Sequence, residues 1–259
     1  MSFILWEHNA NHVGTITLNR PEKHNALHGP MLEALEAALK TAATAELRLL
    51  ILRGMGRNFC AGADLAWMLK MSTSDLNTNQ ADAELLARVL RLVHTFPVPT
   101  VVFAQGAIYG GGLGLVAAAD FAITTPNSHF CLSEIKLGLI PAVISPYIIE
   151  AIGYKKALQY ALTAQPFSGT DAVHLGLCFD ALETFDSDPN SHHLIELLLQ
   201  AGPRAQALLK PWFQEVAKTS HARALEQSAA KLLAHLRTSP EAQEGLQAFT
   251  EKRAPTWYK

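Results

Sequence analysis

Glu134 stands in a mostly uncharged neighbourhood, with Phe130-Cys131-Leu132 before it and Leu137-Gly138-Leu139-Ile140 after it. A carboxyl group buried in such surroundings is pushed toward neutrality, the range in which it can take and return a proton. Upstream, three consecutive glycines, Gly110, Gly111 and Gly112, separate the apolar Val101 to Tyr109 stretch from the small-residue segment Leu113 to Ala119. Glycines allow a tight turn and bring bare N–H groups close to a ligand. The N–H groups that open a helix lack internal partners and sit at its positive end, so such a turn can hold an oxyanion. A second small-residue loop, Asn58-Phe59-Cys60-Ala61-Gly62-Ala63-Asp64-Leu65, also leads into a helical pattern. Its amides could serve an anion or a carbonyl, with Asp64 as the helix cap. By residue type alone each feature also has a plain reading: a surface carboxylate, a strand-to-helix connection and a βα loop.

Alternating strands and helices must position these groups. Residues 3–18 read as a hairpin, with Asn9-Ala10-Asn11 at its turn. Leu32, Leu35 and Leu39 give a helical spacing within 31–46, and a short strand follows over 47–52. A helix begins at Leu65, residues 72–80 read as a mobile polar loop, and 81–96 is helical until Pro97 and Pro99. The glycine stretch itself reads as strand, turn, short helix and strand up to residue 123. After Glu134 come a turn through Pro141, helices over 142–152 and 154–164 parted at Gly153, a short helix at 168–175 and a last strand over 178–182. From His192 to Phe249 the pattern is helical, broken at Gly202-Pro203 and Ser239-Pro240. The changeover predicts a mixed α/β core over 1–190 and a helical region over 191–259.

The 259 residues are 49% hydrophobic and 17% charged, which favours an extensive core over disorder. A net charge of −2 without a long basic run argues against nucleic acid as a partner. Cys60, Cys131 and Cys178 show no metal spacing and read as buried thiols of a reducing compartment, so no metal and a cytoplasmic location are expected. The N-terminus has neither the basic lead nor the apolar core of a signal peptide. Thr95 to Ala119 carries no charge, but its prolines, Gln105 and glycines fit a buried strand and helix better than a membrane span. Gly112 to Ala117 matches G-x-G-x-x-A, yet about two helical turns before Asp120 is short for a dinucleotide-binding unit.

The chain resembles the crotonase superfamily of enoyl-CoA hydratases and isomerases. The likeness rests on Asn19-Arg20-Pro21 through Asn25-Ala26-Leu27, Phe59 to Leu65, Gln105-Gly106 through the glycines to Asp120, Ser133-Glu134 through Gly138 to Pro141, Ala161 to Leu177, and Phe249 to Lys252. These pieces run nearly end to end, and together they displace the membrane and dinucleotide readings. The resemblance implies an α/β spiral of ββα repeats with a C-terminal helical trimerisation region, a homo-oligomer that is a trimer or hexamer, and an acyl-CoA thioester substrate. Coenzyme A arrives on the substrate, and no further cofactor is implied. By the family pattern the Ala63 and Gly111 amides form the oxyanion hole and Glu134 is the catalytic carboxylate. The backbone from Ala61 through Ala63 and Asp64 to Leu65 receives the CoA, which Lys23 borders; Phe249 and Lys252 match residues that reach a neighbour's CoA.

One departure concerns the reaction. The first of the two hydratase carboxylates would fall at Gly114, so the two-carboxylate scheme does not carry over whole. Members with only the second carboxylate include double-bond isomerases. However, Cys131 to Glu134, Ala142 to Pro146 and the tail from Ser239 to Pro255 look like bacterial methylglutaconyl-CoA hydratases, which also carry glycine there. Reversible hydration of a 2-enoyl-CoA such as 3-methylglutaconyl-CoA is therefore the expectation. The alternatives are Δ3-Δ2 isomerisation and, outside enzymes, a CoA-binding or RNA-binding scaffold on this fold. Tyr109, Ser145 and Tyr147 are polar candidates for a second acid–base group. Leu194, Leu197, Leu198, Leu208, Leu209, Leu232 and Leu233 exceed what a short appendage needs to cover itself, which predicts an oligomer built through the C-terminal helices.

Overall fold

The computed structural model describes residues 2–218 and 223–258. Strands β1 (Ile4–His8) and β2 (Val13–Leu18) form the expected hairpin, with Asn9 Oδ1 accepting from the Asn11 and Val13 amides at its turn. Helix α1 (Gly29–Thr44) buries Met31, Leu32, Leu35 and Leu39 and returns the chain to β3 (Leu49–Gly54). Then follow α2 (Leu65–Ser72), α3 (Leu76–His94), β4 (Thr100–Ala104), β5 (Ala107–Tyr109), α4 (Gly111–Ala118), β6 (Phe121–Thr124) and β7 (His129–Cys131). Helix α5 (Ser145–Thr163), β8 (Phe167–Ser168), α6 (Gly169–His174) and β9 (Asp180–Ala181) complete the mixed part. Helices α7 (Pro189–Gln200), α8 (Pro203–Lys218), α9 (Arg223–Arg237) and α10 (Pro240–Glu251) end the chain.

The strands lie in two layers. One sheet has the order β1-β2-β3-β4-β6-β9 and is parallel from β2 onward. The second holds β5-β7-β8, and single parallel bridges, Leu27 to Ala63 and Cys60 to Ile108, extend it backward along the chain. Each coil of the chain thus gives one strand to the large sheet, one short segment to the small layer, and one or two helices. This is the ββα spiral, although no sequence repeat marks it. The helices enclose a core in which Phe59, Phe130, Leu35, Leu50 and Ile108 are fully buried. Leu194 and Leu198 of α7 cover the other face of the large sheet with Leu49, Ile51, Val101 and Phe103.

Three boundaries differ from the sequence reading. The polar stretch 72–80 is not a loop throughout, since α3 starts at Leu76. Its polar residues close the helix end: Asp75 accepts from the Thr78 amide at 3.0 Å, and Asn79 Nδ2 donates to Met71 O at 2.8 Å. Residues 101–109 are two strands in different sheets, because Gly106 at φ +66° redirects the chain between them. The helix after the Pro141 turn starts at Ser145 rather than at 142, and Gly153 (φ +75°) kinks α5 where the sequence placed a break.

Alpha-8 is tied to the core by Lys210, whose Nζ sits 2.7 Å from Asp120 Oδ2; the same oxygen accepts from the Thr100 amide and hydroxyl. Asp120 is therefore a structural cap. The successive coils are joined by Asn25, fully buried at φ +53°. Its Oδ1 accepts from the Arg20 amide at 2.8 Å, and its Nδ2 donates to Met55 O at 2.9 Å and Asn58 O at 2.8 Å. Asn25→Ala strands two carbonyls and one amide in the interior and is expected to cost about 3 kcal/mol. Urea unfolding would check this, and a loss under about 1 kcal/mol would contradict the role given to Asn25.

Candidate active site

Three loops, one from each of three successive coils, meet at the glycine turn. The Asn19–Leu27 loop and the Asn58–Leu65 loop are stitched by backbone and side-chain bonds. Ala61 N donates to His24 O (3.0 Å), Leu27 N to Gly62 O (2.7 Å) and Asp64 N to Leu27 O (2.8 Å), while Asn58 Nδ2 pairs with His24 Nδ1 (2.9 Å). The second loop then joins the third: Phe59 N donates to Gln105 O, Cys60 N to Ala107 O and Tyr109 N to Cys60 O, and Asn58 Oδ1 accepts from the Ala107 amide.

This pairing leaves particular amides out. In the parallel bridge to Leu27 it is Gly62 and Asp64 that bond, so Ala63 directs its own N–H to the opposite side. Gly111 is the first residue of α4, where no carbonyl one turn earlier is in reach. Among the described residues neither the Ala63 nor the Gly111 N–H has an acceptor. Gly110, at φ +47°, makes the turn that sets the Gly111 amide at the helix end. Gly112 has no room for a side chain, since a Cβ there would lie 2.6 Å from Cys60 O. The glycine run is thus required by both backbone angle and close approach.

Glu134 opens a single 3-10 turn, Glu134–Leu137, after β7. Its Oε1 lies 3.3 Å from the position a Gly110 Cβ would take, and Gly62 Cα is 3.9 Å from the same point. The carboxylate, the glycine turn and the Ala61–Ala63 loop therefore share one cleft. Glu134 Oε2 is buried and has no partner among the described residues, and burial raises its pKa above the usual glutamate value. A carboxyl that is desolvated and unpaired is poised to exchange a proton.

Asp64 caps α2 by accepting from Trp67 N at 2.9 Å, and Arg20 Nη1 lies 2.7 Å from its other oxygen. The Trp67 amide and the Arg20 guanidinium keep its pKa low despite partial burial, so it is a fixed anion that braces the loop. Leu65 begins α2 and is 70% exposed at the cleft's outer edge. Lys23 ends the 3-10 turn Pro21–Lys23 and is exposed one residue before His24, which bonds Ala61. Phe249 and Lys252 are not brought to Glu134. They lie at the end of α10, Phe249 85% exposed and Lys252 in the left-handed C-cap. That helix is held instead against the α7–α8 junction, where Glu241 accepts from the Arg204 and Ala205 amides.

Of the three polar candidates for a second acid–base group, two are engaged elsewhere. Ser145 Oγ donates to Ala142 O at 2.9 Å, and the Tyr147 ring packs edge-on against His94 at 5.2 Å. Tyr109 directly precedes the glycine turn. Cys60 is buried and its pKa is pushed up to about 12, so its thiol is inert. Sequence reasoning gave no role to Asn25, Asn58, Arg20 or Ile144. The first three lie within the motifs already noted, and an asparagine in a loop that repeatedly pairs was the available signal. Among the described residues no cluster of His, Cys, Asp and Glu is suited to a metal ion, and no helix is long and apolar enough to cross a membrane.

Residues 8–259 match the family model described as enoyl-CoA hydratase/isomerase. Among solved structures, an enoyl-CoA hydratase from Shewanella pealeana is 38% identical, with a TM-score of 0.94 over 98% of this chain and 96% of that one. A probable enoyl-CoA hydratase from Rhodobacter capsulatus is 32% identical, covering 94% of this chain and 93% of its own. A trans-2-decenoyl-[acyl-carrier-protein] isomerase from Streptococcus mutans is 27% identical, over 95% and 94% of the two chains.

The raised pKa of Glu134 has a consequence for stability. The folded chain holds this proton more tightly than the unfolded chain, so stability is lost as pH rises from the ordinary glutamate range through the raised value. Glu134→Gln cannot ionise and escapes that loss. Thermal melts from pH 5 to pH 9 should show the Gln variant gaining on the wild type as pH rises, and a constant difference would argue against an ionising, desolvated Glu134.

Proposed function

Because the chain belongs to the enoyl-CoA hydratase/isomerase family, we propose that it adds water reversibly across the double bond of a 2-enoyl-CoA. The reading is carried by Glu134, an unpaired and desolvated carboxylate set against the glycine turn. The thioester oxygen would accept from the Ala63 and Gly111 amides, which take up the charge that develops there as the C3–O bond forms. Glu134 takes the proton of the attacking water and returns it to C2, so one group serves both halves of the addition. Coenzyme A is bound along Ala61 to Leu65 beside Lys23, and neither metal nor further cofactor enters. The preferred acyl group is branched, such as 3-methylglutaconyl, on the likeness of residues 131–134, 142–146 and 239–255 to hydratases of that kind. The three buried free thiols suit a cytoplasmic setting.

A second reading is favoured by one observation. With glycine at 114 and Asp64 held by Trp67 and Arg20, Glu134 is the unpaired carboxylate of the cleft among the described residues, which suffices to move a proton from C2 to C4 of a 3-enoyl-CoA. Mass spectrometry after incubation with 3-methylglutaconyl-, crotonyl- and a 3-enoyl-CoA separates the two. Hydration adds one water to the first two substrates, whereas a shifted double bond at unchanged mass, with no water gained by any, selects the isomerase. Under either reading Glu134→Gln should lower kcat about 10²-fold or more. Gly111→Pro removes one oxyanion donor and should cost about 10²–10³-fold in kcat with the fold retained by circular dichroism. Full turnover in either variant would sink the site assignment.

We also propose that the protein assembles as a trimer or a hexamer. Leu194 and Leu198 cover its own sheet, but Leu197, Leu208, Leu209, Phe213 and Leu233 remain exposed on α7, α8 and α9. Apolar surface of this extent on consecutive helices suits a second copy of the chain. Phe249 and Lys252, exposed at the end of α10, would then serve a neighbour's CoA. Multi-angle light scattering should give at least three times the monomer mass; a monomer at micromolar concentration would refute the assembly.

A further inference from the structure

Gly110, the N-cap residue of α4, and Gly114 inside the helix are joined by one backbone bond, Gly114 N donating to Gly110 O at 3.0 Å. Neither carries a side chain, and two side chains from a single downstream segment lie against them. Glu134 Oε1 is 3.3 Å from the place of a Gly110 Cβ. Ile144 Cγ2 is 2.5 Å from the place of a Gly114 Cβ, with Ile144 Cβ at 3.1 Å and Leu90 Cδ1 at 3.4 Å. The carboxylate and the branched alkyl group therefore lie against two backbone positions that one hydrogen bond joins. Ile144 is only 2% exposed, and it is held as the residue preceding α5, with its carbonyl accepting from the Ile148 amide.

We infer that Ile144 is a specificity-determining residue, the wall that limits bulk on the acyl group beyond the carbon Glu134 serves. The inference rests on the reading that an acyl thioester lies with its oxygen at the Gly111 amide. From there the acyl chain runs past Gly110 and Glu134, and Ile144 is the group that lies against Gly114, the next glycine into α4 on that side. Gly114 and Ile144 form one unit. Any side chain at 114 would occupy the space of the Ile144 methyl, and shortening Ile144 opens a pocket against Gly114. Ser145 Oγ is tied to Ala142 O and Leu90 is apolar, so the pocket opened would accept hydrocarbon rather than a charged group.

The test uses saturated acyl-CoAs, which bind without reacting. Butyryl-CoA and 3,3-dimethylbutyryl-CoA would be titrated by calorimetry into the wild type, Ile144→Ala and Ile144→Val. Ile144→Ala should improve the affinity for the bulky thioester relative to butyryl-CoA by about tenfold or more, the scale set by one or two methyl groups in an apolar pocket. Ile144→Val should move the ratio the same way by less, and it stands in for the alanine variant if that fails to fold. An unchanged ratio in both variants overturns the inference, as does a wild type that binds neither thioester. A wild type that binds them but converts no enoyl-CoA would sink the proposed reaction and leave the wall assignment standing.

Discussion

Two backbone N–H groups without acceptors are the constraint around which this molecule is arranged. A buried backbone amide is nearly always paired, and these two stand at the surface of the cleft instead, Ala63 exposed and Gly111 half-buried. Here backbone groups close to both amides are paired. Gly62 and Asp64 bond to Leu27, Ala61 to His24, and Gly110 to Cys131. Ala63 and Gly111 are passed over, one by the alternation of a parallel bridge and the other by standing first in a helix. Asn25 and Asn58 supply the side-chain bonds that fix the loops so that the omission is reproducible. Such preorganised donors can stabilise developing charge without rearranging first.

The same logic applies to Glu134. Its buried oxygen has no partner, which opposes ionisation and costs stability at high pH. A fold built for stability alone would supply a donor there. Asp64 shows the contrast within one cleft: it has the Trp67 amide and Arg20, and its pKa falls. One carboxylate holds a loop and the other is left free to exchange protons, and the difference lies wholly in what each touches.

Much of this was legible in the sequence, and the limits have physical causes. The Gly110–Gly112 run, Asp64 as a cap and the Gly153 break depend on local backbone chemistry, which a few residues carry. The start of α3 was read as a loop because Asp75, Thr78 and Asn79 satisfy the helix end with polar side chains, and polarity alone looks like solvent. The break at Gly106 was missed because β4 and β5 are both apolar, and only packing tells which sheet each joins. Gly114 could be seen as a missing carboxylate, but its filling by Ile144 is a contact between residues thirty positions apart. No local pattern encodes it.

The spiral also bears on how the chain is made. In the large sheet β2, β3, β4 and β6 are laid down in chain order, each beside the strand synthesised before it. Every coil can dock on a finished predecessor, although each parallel pairing closes a loop of tens of residues, as from β3 (Leu49–Gly54) to β4 (Thr100–Ala104). A chain leaving the ribosome N-terminus first can fold in this order, one coil at a time. The Ala63 donor then takes shape two coils before Glu134 has been translated. The cleft is therefore completed from the Ala63 loop toward Glu134, the last of its groups to be synthesised.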